Sequence, residues 1–195
     1  MKVLTATAVA ALAAATAFAD PVAYEFDRGH TEISATWMHQ GLSRQSLQFT
    51  DYEGTLLLDF DNPENSTVDI TFNLIDGLWA GAHHDRFIGH LNSPDIFDTA
   101  QYPTAHFVAT GFETEDSVTG TMTGDLTIVG VTVPVTLDVT LNRLRDDGTA
   151  GFTATSTLVR TDWSPQVGIY APVAVSDEVI LTINTELEVA ESDAE

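Results

Sequence analysis

The sequence predicts an all-β domain built from antiparallel strands. Apolar and polar residues alternate with a period of two over much of the chain, as they do in strands with one buried and one exposed face. Short polar or glycine-containing segments separate these runs, and short connections favour antiparallel neighbours. No repeat, linker or low-complexity segment divides residues 20–195. A single domain is therefore expected.

The predicted strands differ in how clear their pattern is. Alternation is clearest in the segments 68–74, 131–142 and 179–189. It is weaker in five others: 31–38, 53–60, 104–111, 118–128 and 151–161. The segments 61–65 and 146–148 are polar and rich in Asp, Asn, Pro or Gly, which predicts loops. Val129-Gly130 is short enough to connect two strands as a hairpin.

The alternation fails between residues 78 and 102, where a short helical insertion around residues 84–98 is predicted. Residues 85–91 have the composition of a short helix. Ser93-Pro94-Asp95 is typical of a second helix start, with Ser at the N-cap, Pro at the first helical position and an acid in the first turn. A barrel would use such a helical insertion between strands as a lid or plug.

The first nineteen residues are expected to be a cleaved signal peptide. Lys2 precedes an Ala/Leu/Val run, and Ala17-Phe18-Ala19 resembles a cleavage site before Asp20. The run is short against the roughly 20 apolar residues of a membrane span, so no stable membrane insertion is expected. Residues 20–195 would then form one exported domain with a short acidic C-terminal tail.

The charge and cysteine content exclude several classes of function. Asp and Glu number 29 against 7 Lys and Arg, which gives a formal net charge of −22. Removing Lys2, the one Lys in the chain, leaves six Arg and a charge of −23. Such a protein repels nucleic acid, so no nucleic-acid partner is expected. The chain has no Cys, which rules out disulfides and a thiol active site.

Three blocks of sequence carry a resemblance to a known family. The first runs from His83 to Val108 and reads HHDRFIGHLNSPDIFDTAQYPTAHFV, the second is residues 124–135, and the third is Gly151-Phe152 leading to Arg160-Thr161-Asp162-Trp163. In this order they resemble the YceI-like family of lipid- and polyisoprenoid-binding periplasmic proteins, over roughly residues 24–189. Periodicity alone does not separate a closed barrel from a sandwich. The resemblance implies a lipocalin-like, antiparallel up-and-down β-barrel.

Two glycines are expected to face the interior of such a barrel. The alternation in 118–128 places Gly120 and Gly124 on the apolar face. They indicate either a bulged or bent strand or room for a ligand, and a barrel of this size can hold one. The residues alone do not separate ligand contacts from ordinary core. The candidates for lining the lumen are Trp37, Phe72, Phe107, Gly120, Met122, Gly124, Phe152 and Trp163.

The resemblance also implies a polar rim formed by His84, Arg86 and His90. The family commonly has an Arg at the position that Phe87 occupies here, so Arg86 is either displaced by one residue or pairs with His83 at the expected spacing. Taken alone, the three side chains are equally compatible with a solvated helix surface. They lack the i, i+4 histidine pair of common zinc sites, and no metal ligand is expected.

The sequence therefore predicts binding without turnover. The ligand that the resemblance implies is a polyisoprenoid or a similar long-chain amphiphile, with isoprenoid quinones among the candidates, and no cofactor or catalytic residue is expected. The chain has no Gly-x-Ser-x-Gly elbow, phosphate loop or dinucleotide fingerprint. The alternative is a secreted β-sandwich hydrolase acting on carbohydrate or ester. The sequence leaves open whether the protein is a monomer or a homodimer.

Overall fold

The computed structural model describes residues 20–81, 84–114, 116–163 and 175–191, with the backbone alone for His84. Eleven strands and one α-helix are formed within these residues. They are β1 (Val22–Phe26), β2 (Glu32–His39), β3 (Ser43–Phe49), β4 (Tyr52–Leu58), β5 (Thr67–Asn73), β6 (Leu78–Trp79), α1 (His84–Leu91), β7 (Thr104–Thr114), β8 (Thr119–Ile128), β9 (Val131–Leu144), β10 (Ala150–Val159) and β11 (Val175–Val189). The predicted signal peptide, residues 1–19, lies outside the described residues.

The strands close into an antiparallel barrel with eight positions around its ring. β1 and β2 share one position because both pair with β11. β3 and β4 share the next position, since β3 pairs with β2 and β4 pairs with β1. The ring then continues through β5, β7, β8, β9 and β10 to β11, and the short β6 pairs with β3 outside it. The predicted lipocalin-like up-and-down barrel is confirmed.

Antiparallel pairing places the connections at two opposite ends of the barrel. The end that carries α1 also carries the β2–β3 turn, the β8–β9 turn and the start of β11, and is called the helix end below. The β8–β9 turn is the predicted Val129-Gly130 hairpin, in which both residues have positive φ, 47° and 75°, as in a type I′ turn. The opposite end, called the far end, carries the β4–β5, β7–β8 and β9–β10 connections.

The predicted helical insertion is shorter than expected. The helix α1 ends at Leu91, and residues 92–97 form turns and a bend. Ser93 does not cap a second helix. Its carbonyl accepts hydrogen bonds from the backbone N–H groups of Ile96 and Asp98, and its hydroxyl donates to the carbonyl of His90 at 2.7 Å. Within the described residues no helix has the length and hydropathy needed to span a bilayer.

The helix α1 is anchored by its own small core. Ile88 and Leu91 are buried with Leu47 of β3, Leu74 and Leu78. Burying a Leu or Ile side chain contributes roughly 1.5–3 kcal/mol, so these contacts hold the helix against the barrel wall although the helix has only eight residues. A second and larger core lies inside the barrel.

The break between β1 and β2 is held by two local contacts. The Arg28 guanidinium lies 4.9 Å from the centre of the Tyr52 ring and donates a hydrogen bond to the Tyr52 carbonyl. Asp27 accepts hydrogen bonds from the Gly29 N–H at 2.8 Å and from His30 Nδ1 at 2.6 Å. The hydrogen bond to Asp27 raises the pKa of His30, with further contributions from the charges of Asp27 and Glu186.

We expect the Asp27→Asn variant to lower the pKa of His30 towards its ordinary value, because the variant removes the carboxylate that favours the imidazolium. The measurement is a pH titration of the His30 ring signals by NMR. The Glu188→Gln variant is the control, since the charge of Glu188 is the smallest of the contributions that raise this pKa. An unchanged His30 pKa in Asp27→Asn would contradict the assignment.

The two groups also set the pH range in which this contact stabilises the fold. The stabilisation from His30, whose pKa is raised, is present below its unfolded-state pKa and is lost as the pH rises through the folded-state value. Hydrogen bonds from His30 and the Gly29 N–H lower the pKa of Asp27, so the stabilisation from Asp27 is lost as the pH falls through that lowered value. The contact is therefore strongest in the mildly acidic range between the two.

Candidate functional site

The interior of the barrel is a large apolar cavity. Its volume is about 1410 Å³, above the ~300–1,000 Å³ typical of pockets for drug-sized ligands. It runs from residues at the helix end, such as Phe87, to residues at the far end, such as Pro63. The cavity therefore extends along the barrel from one end to the other.

Alternate residues of the strands supply the lining, as the period-two pattern predicted. The lining residues of β9 include Val135, Leu137, Val139 and Leu141, and those of β11 include Val179, Leu181, Ile183, Thr185 and Leu187. Many of these side chains are only partly buried, because they border the cavity instead of packing against one another. The lumen is lined, but it is not filled.

The helix end is covered by aromatic side chains. Phe87 of α1 stacks on Trp37 of β2, with ring centres 5.9 Å apart and planes at 24°. Ile96 and Phe97, from the turns that follow α1, also line the cavity. The spacing of Phe87, Ile88 and Leu91 puts all three on the barrel side of α1, which accounts for the position of the helix over this end.

A turn after β10 adds a further aromatic side chain at the helix end. Residues Arg160–Asp162 form one turn of 3-10 helix, and the buried Trp163 follows it. The Trp163 indole Nε1–H donates a 2.9 Å hydrogen bond to the Leu126 carbonyl. Arg160 Nε donates to the Ser176 carbonyl at 3.0 Å and lies 3.6 Å from the Asp177 carboxylate. The structure therefore has an ion pair at the end of β10, between Arg160 and Asp177, and Trp163 is the aromatic plug beside it.

The far end is acidic, and its carboxylates hold turns together. Asp59 accepts hydrogen bonds from the Asn65 side chain and from the backbone N–H groups of Asn62 and Asp61, and these lower its pKa. Asp116 accepts from the N–H groups of Thr119 and Val118, both at 2.7 Å, and its pKa is lowered in the same way. Both carboxylates are therefore charged at neutral pH.

Most of the residues predicted to lie in the lumen come together there. Seven of the eight line the cavity: Trp37, Phe72, Phe107, Gly120, Met122, Phe152 and Trp163. The exception is Gly124, although it lies on the inward face of β8 between Met122 and Leu126. A Cβ atom added at Gly124 would lie 2.4 Å from the Phe107 ring and 2.7 Å from the Val108 carbonyl oxygen. The space over this glycine is therefore filled by the Phe107 ring.

We expect Gly124→Ala to destabilise the protein by about 1–3 kcal/mol, the usual cost of overpacking. The Phe107 ring could move aside, but the Val108 carbonyl belongs to the neighbouring strand and could not. Urea denaturation followed by circular dichroism gives the free energy of unfolding. The control is Gly151→Ala, where the nearest atom to an added Cβ is Asn142 Cβ at 3.9 Å. Equal losses in the two variants would contradict the role assigned to Gly124.

The predicted polar rim is only partly assembled. His90 lines the cavity, whereas Arg86 is exposed on α1 and does not line it. The side chain of His84 lies outside the described part of the structure. The sequence did not single out His39, Gln45 and Ser176, which line the helix end. Their polar character in otherwise apolar surroundings is visible only once the barrel has closed.

One group of side chains has the composition of a metal site. Among the described residues, the ligand atoms of Asp27, His30 and Glu186 lie within 4.8 Å of one another. None of these three residues lines the cavity, and His30 and Glu186 are exposed. This group is separate from the candidate ligand site.

Comparison with known proteins agrees with this geometry. The YceI-like domain model matches residues 24–187, which include every strand of the ring except the ends of β1 and β11. The chain belongs to the YceI-like family. A UPF0312 protein of Pseudomonas putida (strain W619) is 34% identical to it over 170 residues, 84% of each chain. Protein YceI of Escherichia coli O17:K52:H18 is 32% identical over 166 residues, 82% of this chain and 84% of the relative.

Solved structures share the YceI-like fold. BcnA of Burkholderia cenocepacia superposes with a TM-score of 0.74 at 21% identity, covering 83% of this chain and 99% of that one. A domain from Saccharophagus degradans, described as polyisoprenoid-binding and implicated in plant cell wall breakdown, gives a TM-score of 0.59 at 15% identity. It covers 87% of this chain and 99% of that one. At these identities the two structures establish the shared barrel.

Proposed function

We propose that this protein binds a polyisoprenoid or a similar long-chain amphiphile in the lumen of its barrel, without turning it over. The observation that carries the proposal is the cavity of about 1410 Å³, lined mainly by apolar residues at alternate positions of the strands. The name of the Saccharophagus degradans domain gives the same class of ligand for a barrel of the same fold.

Burial of an apolar tail supplies enough free energy for binding. At ~0.8 kcal/mol per buried CH₂, a five-carbon isoprene unit contributes roughly 4 kcal/mol before costs. Association costs about 4–15 kcal/mol, so several units are needed. A short ligand would leave most of the lumen empty, which favours a long tail.

Two of the carboxylates that border the cavity, Asp59 and Asp116, favour binding over hydrolysis. A glycosidase needs one carboxylic acid with a raised pKa facing a second carboxylate. Asp59 and Asp116 have lowered pKa values, because backbone and side-chain N–H groups hold their oxygens. They are turn-forming groups and are poor proton donors at neutral pH.

We place the protein in the periplasm, exported by the signal peptide that the first nineteen residues resemble. An isoprenoid quinone is one ligand that such a location and lumen would suit. N-terminal sequencing of protein from the cell envelope should begin at Asp20, and a mature protein that retains Met1 would contradict export by cleavage.

The binding proposal is tested by extracting the purified protein with organic solvent and identifying the extract by mass spectrometry. We expect a polyisoprenoid or another long-chain lipid in an amount comparable to that of the protein. The delipidated protein should then bind a fluorescent prenol analogue. Failure to retain any lipid, together with failure to bind the probe, would reject the proposal, as would hydrolysis of ester or glycoside substrates that depends on lumen residues.

A further inference from the structure

We propose that the bound ligand has an uncharged polar head group, a hydroxyl or a quinone carbonyl, at the helix end, and that the protein discriminates against prenyl phosphates. This inference rests on the proposed function and specifies its ligand class. It comes from the charges around the cavity and from the partners of each arginine.

Cations that could hold a phosphate are scarce in this chain. After residue 19 the protein has no Lys and six Arg, and none of these Arg falls at residues 82–83, 115, 164–174 or 192–195. All six therefore belong to the described part of the structure. Among them, Arg160 is the one that lines the cavity.

Arg160 already has an acidic partner. Its side chain is 14% exposed and lies 3.6 Å from the Asp177 carboxylate, while its Nε–H is donated to the Ser176 carbonyl. Asp177 is also held by the Thr161 hydroxyl at 2.8 Å. A phosphate carries a charge of about −1.5 to −2 at neutral pH. A phosphate head group beside Arg160 would have to compete with Asp177 for a single guanidinium. The excess negative charge would remain in a poorly solvated environment.

The far end is still less favourable to an anion. Among the described residues, no Arg lines this end. Four carboxylate side chains line it: Asp59, Asp61, Glu113 and Asp116. A phosphorylated head group would meet like charges there, whereas an apolar tail would not. The tail is therefore expected at the far end and the head group at the helix end.

The helix end offers hydrogen bonds without a concentration of positive charge. His39, Gln45, His90 and Ser176 line the cavity there. A neutral imidazole and an amide each provide both a donor and an acceptor, and a hydroxyl does the same. These groups suit an alcohol or a carbonyl oxygen, which is the chemistry of a prenol or a prenylated quinone.

The test is displacement of a fluorescent prenol analogue by three competitors with identical tails: a prenol, a prenylated quinone and a prenyl monophosphate. The tails are kept short enough for the competitors to stay monomeric. We expect the prenol and the quinone to bind at least tenfold more tightly than the monophosphate. Equal or tighter binding of the monophosphate would overturn the inference while leaving the proposed function intact. Failure of the probe and all competitors to bind would reject both.

A matched pair of variants tests the role of the Arg160–Asp177 pair. Asp177→Asn removes the charge that neutralises Arg160, and Asp138→Asn removes the same charge from an exposed residue of β9 that does not line the cavity. We expect Asp177→Asn to increase monophosphate affinity at least threefold with little effect on the prenol, and Asp138→Asn to change neither. An equal gain in both variants would mean that the overall charge of the protein causes the discrimination, and would overturn the local explanation. Circular dichroism checks that both variants are folded.

Discussion

Replacing Trp163 by Ala is expected to lower the free energy of unfolding by about 3–5 kcal/mol, the usual cost of truncating a buried Trp. The side chain is 4% exposed and belongs to the core inside the barrel. The substitution removes its packing and also the hydrogen bond from Nε1–H to the Leu126 carbonyl. Because native domains are stable by only about 5–15 kcal/mol, this is a large part of the total. Urea denaturation of the ligand-free protein measures it.

Two further variants separate the contributions of Trp163. Trp163→Phe keeps an aromatic ring and removes the hydrogen bond, so a loss of about 0.5–1.5 kcal/mol is expected from the bond itself. Trp79→Ala is the matched control, since Trp79 is 50% exposed on the short β6, and a loss of about 1 kcal/mol or less is expected there. If Trp163→Ala cost no more than Trp79→Ala, the plug at the helix end would not be holding the fold.

The sequence predicted best the strands that have one face to the lumen and one to solvent. In β9 and β11 the alternation is almost unbroken, because each lumen-facing residue is followed by a solvent-facing one. In β3, with the sequence SRQSLQF, only Leu47 is fully buried and four residues are exposed. Its apolar alternation is limited to Leu47 and Phe49, which is too short to predict a strand. Its position is fixed by pairing with β2 and β6, which are contacts that a local pattern does not contain.

Closure of the barrel also depends on distant residues. The ring closes where Tyr24 pairs with Val189 and Phe26 pairs with Leu187, more than 150 positions apart along the chain. Alternation is the same in a barrel and in a sandwich, so the residues alone could not choose between them. The resemblance to a family supplied that choice, and the pairing of β1 with β11 confirms it.

Seven of the eight predicted lumen residues line the cavity, and the placement of two predicted residues, Gly124 and Arg86, differs from the prediction. The lumen residues could be predicted because large apolar side chains at alternate positions of a barrel strand face the interior. Gly124 was placed on the correct face, but the Phe107 ring that covers it comes from the neighbouring strand β7. The polar end was misjudged for a related reason. Arg86 and Phe87 are adjacent in sequence, and only the packing of α1 decides which of them turns towards the cavity.

A Trp placed in the lumen at position 139 is expected to shorten the binding site. Val139 lines the cavity in the half of β9 nearer the far end, and its neighbours across the sheet are the small residues Gly120 and Ala154. An indole at this position therefore has room to project into the lumen without displacing a large side chain of an adjacent strand. It would obstruct the path of a tail that extends from the helix end towards the far end.

The expected result for Val139→Trp is a change in chain-length preference. Excluding one isoprene unit from the lumen removes roughly 4 kcal/mol of gross burial energy at ~0.8 kcal/mol per carbon. Part of that loss is recovered because the tail bends or stays in contact with the indole. A long-tailed prenol should therefore lose tenfold to a hundredfold in affinity, while a prenol too short to reach position 139 should lose little. Fluorescence titration with a series of prenols of increasing length measures the break point.

The control for this variant is Thr136→Trp, which adds the same side chain to the outer face of β9, where Thr136 is exposed and does not line the cavity. It should leave the affinities for long and short prenols unchanged. Urea denaturation of both variants shows whether the indole at position 139 has destabilised the barrel, as overpacking can by about 1–3 kcal/mol. A folded Val139→Trp protein that binds long and short prenols as the unmodified protein does would show that the tail does not reach this part of the lumen. The tail would then have to lie nearer the helix end or outside the barrel.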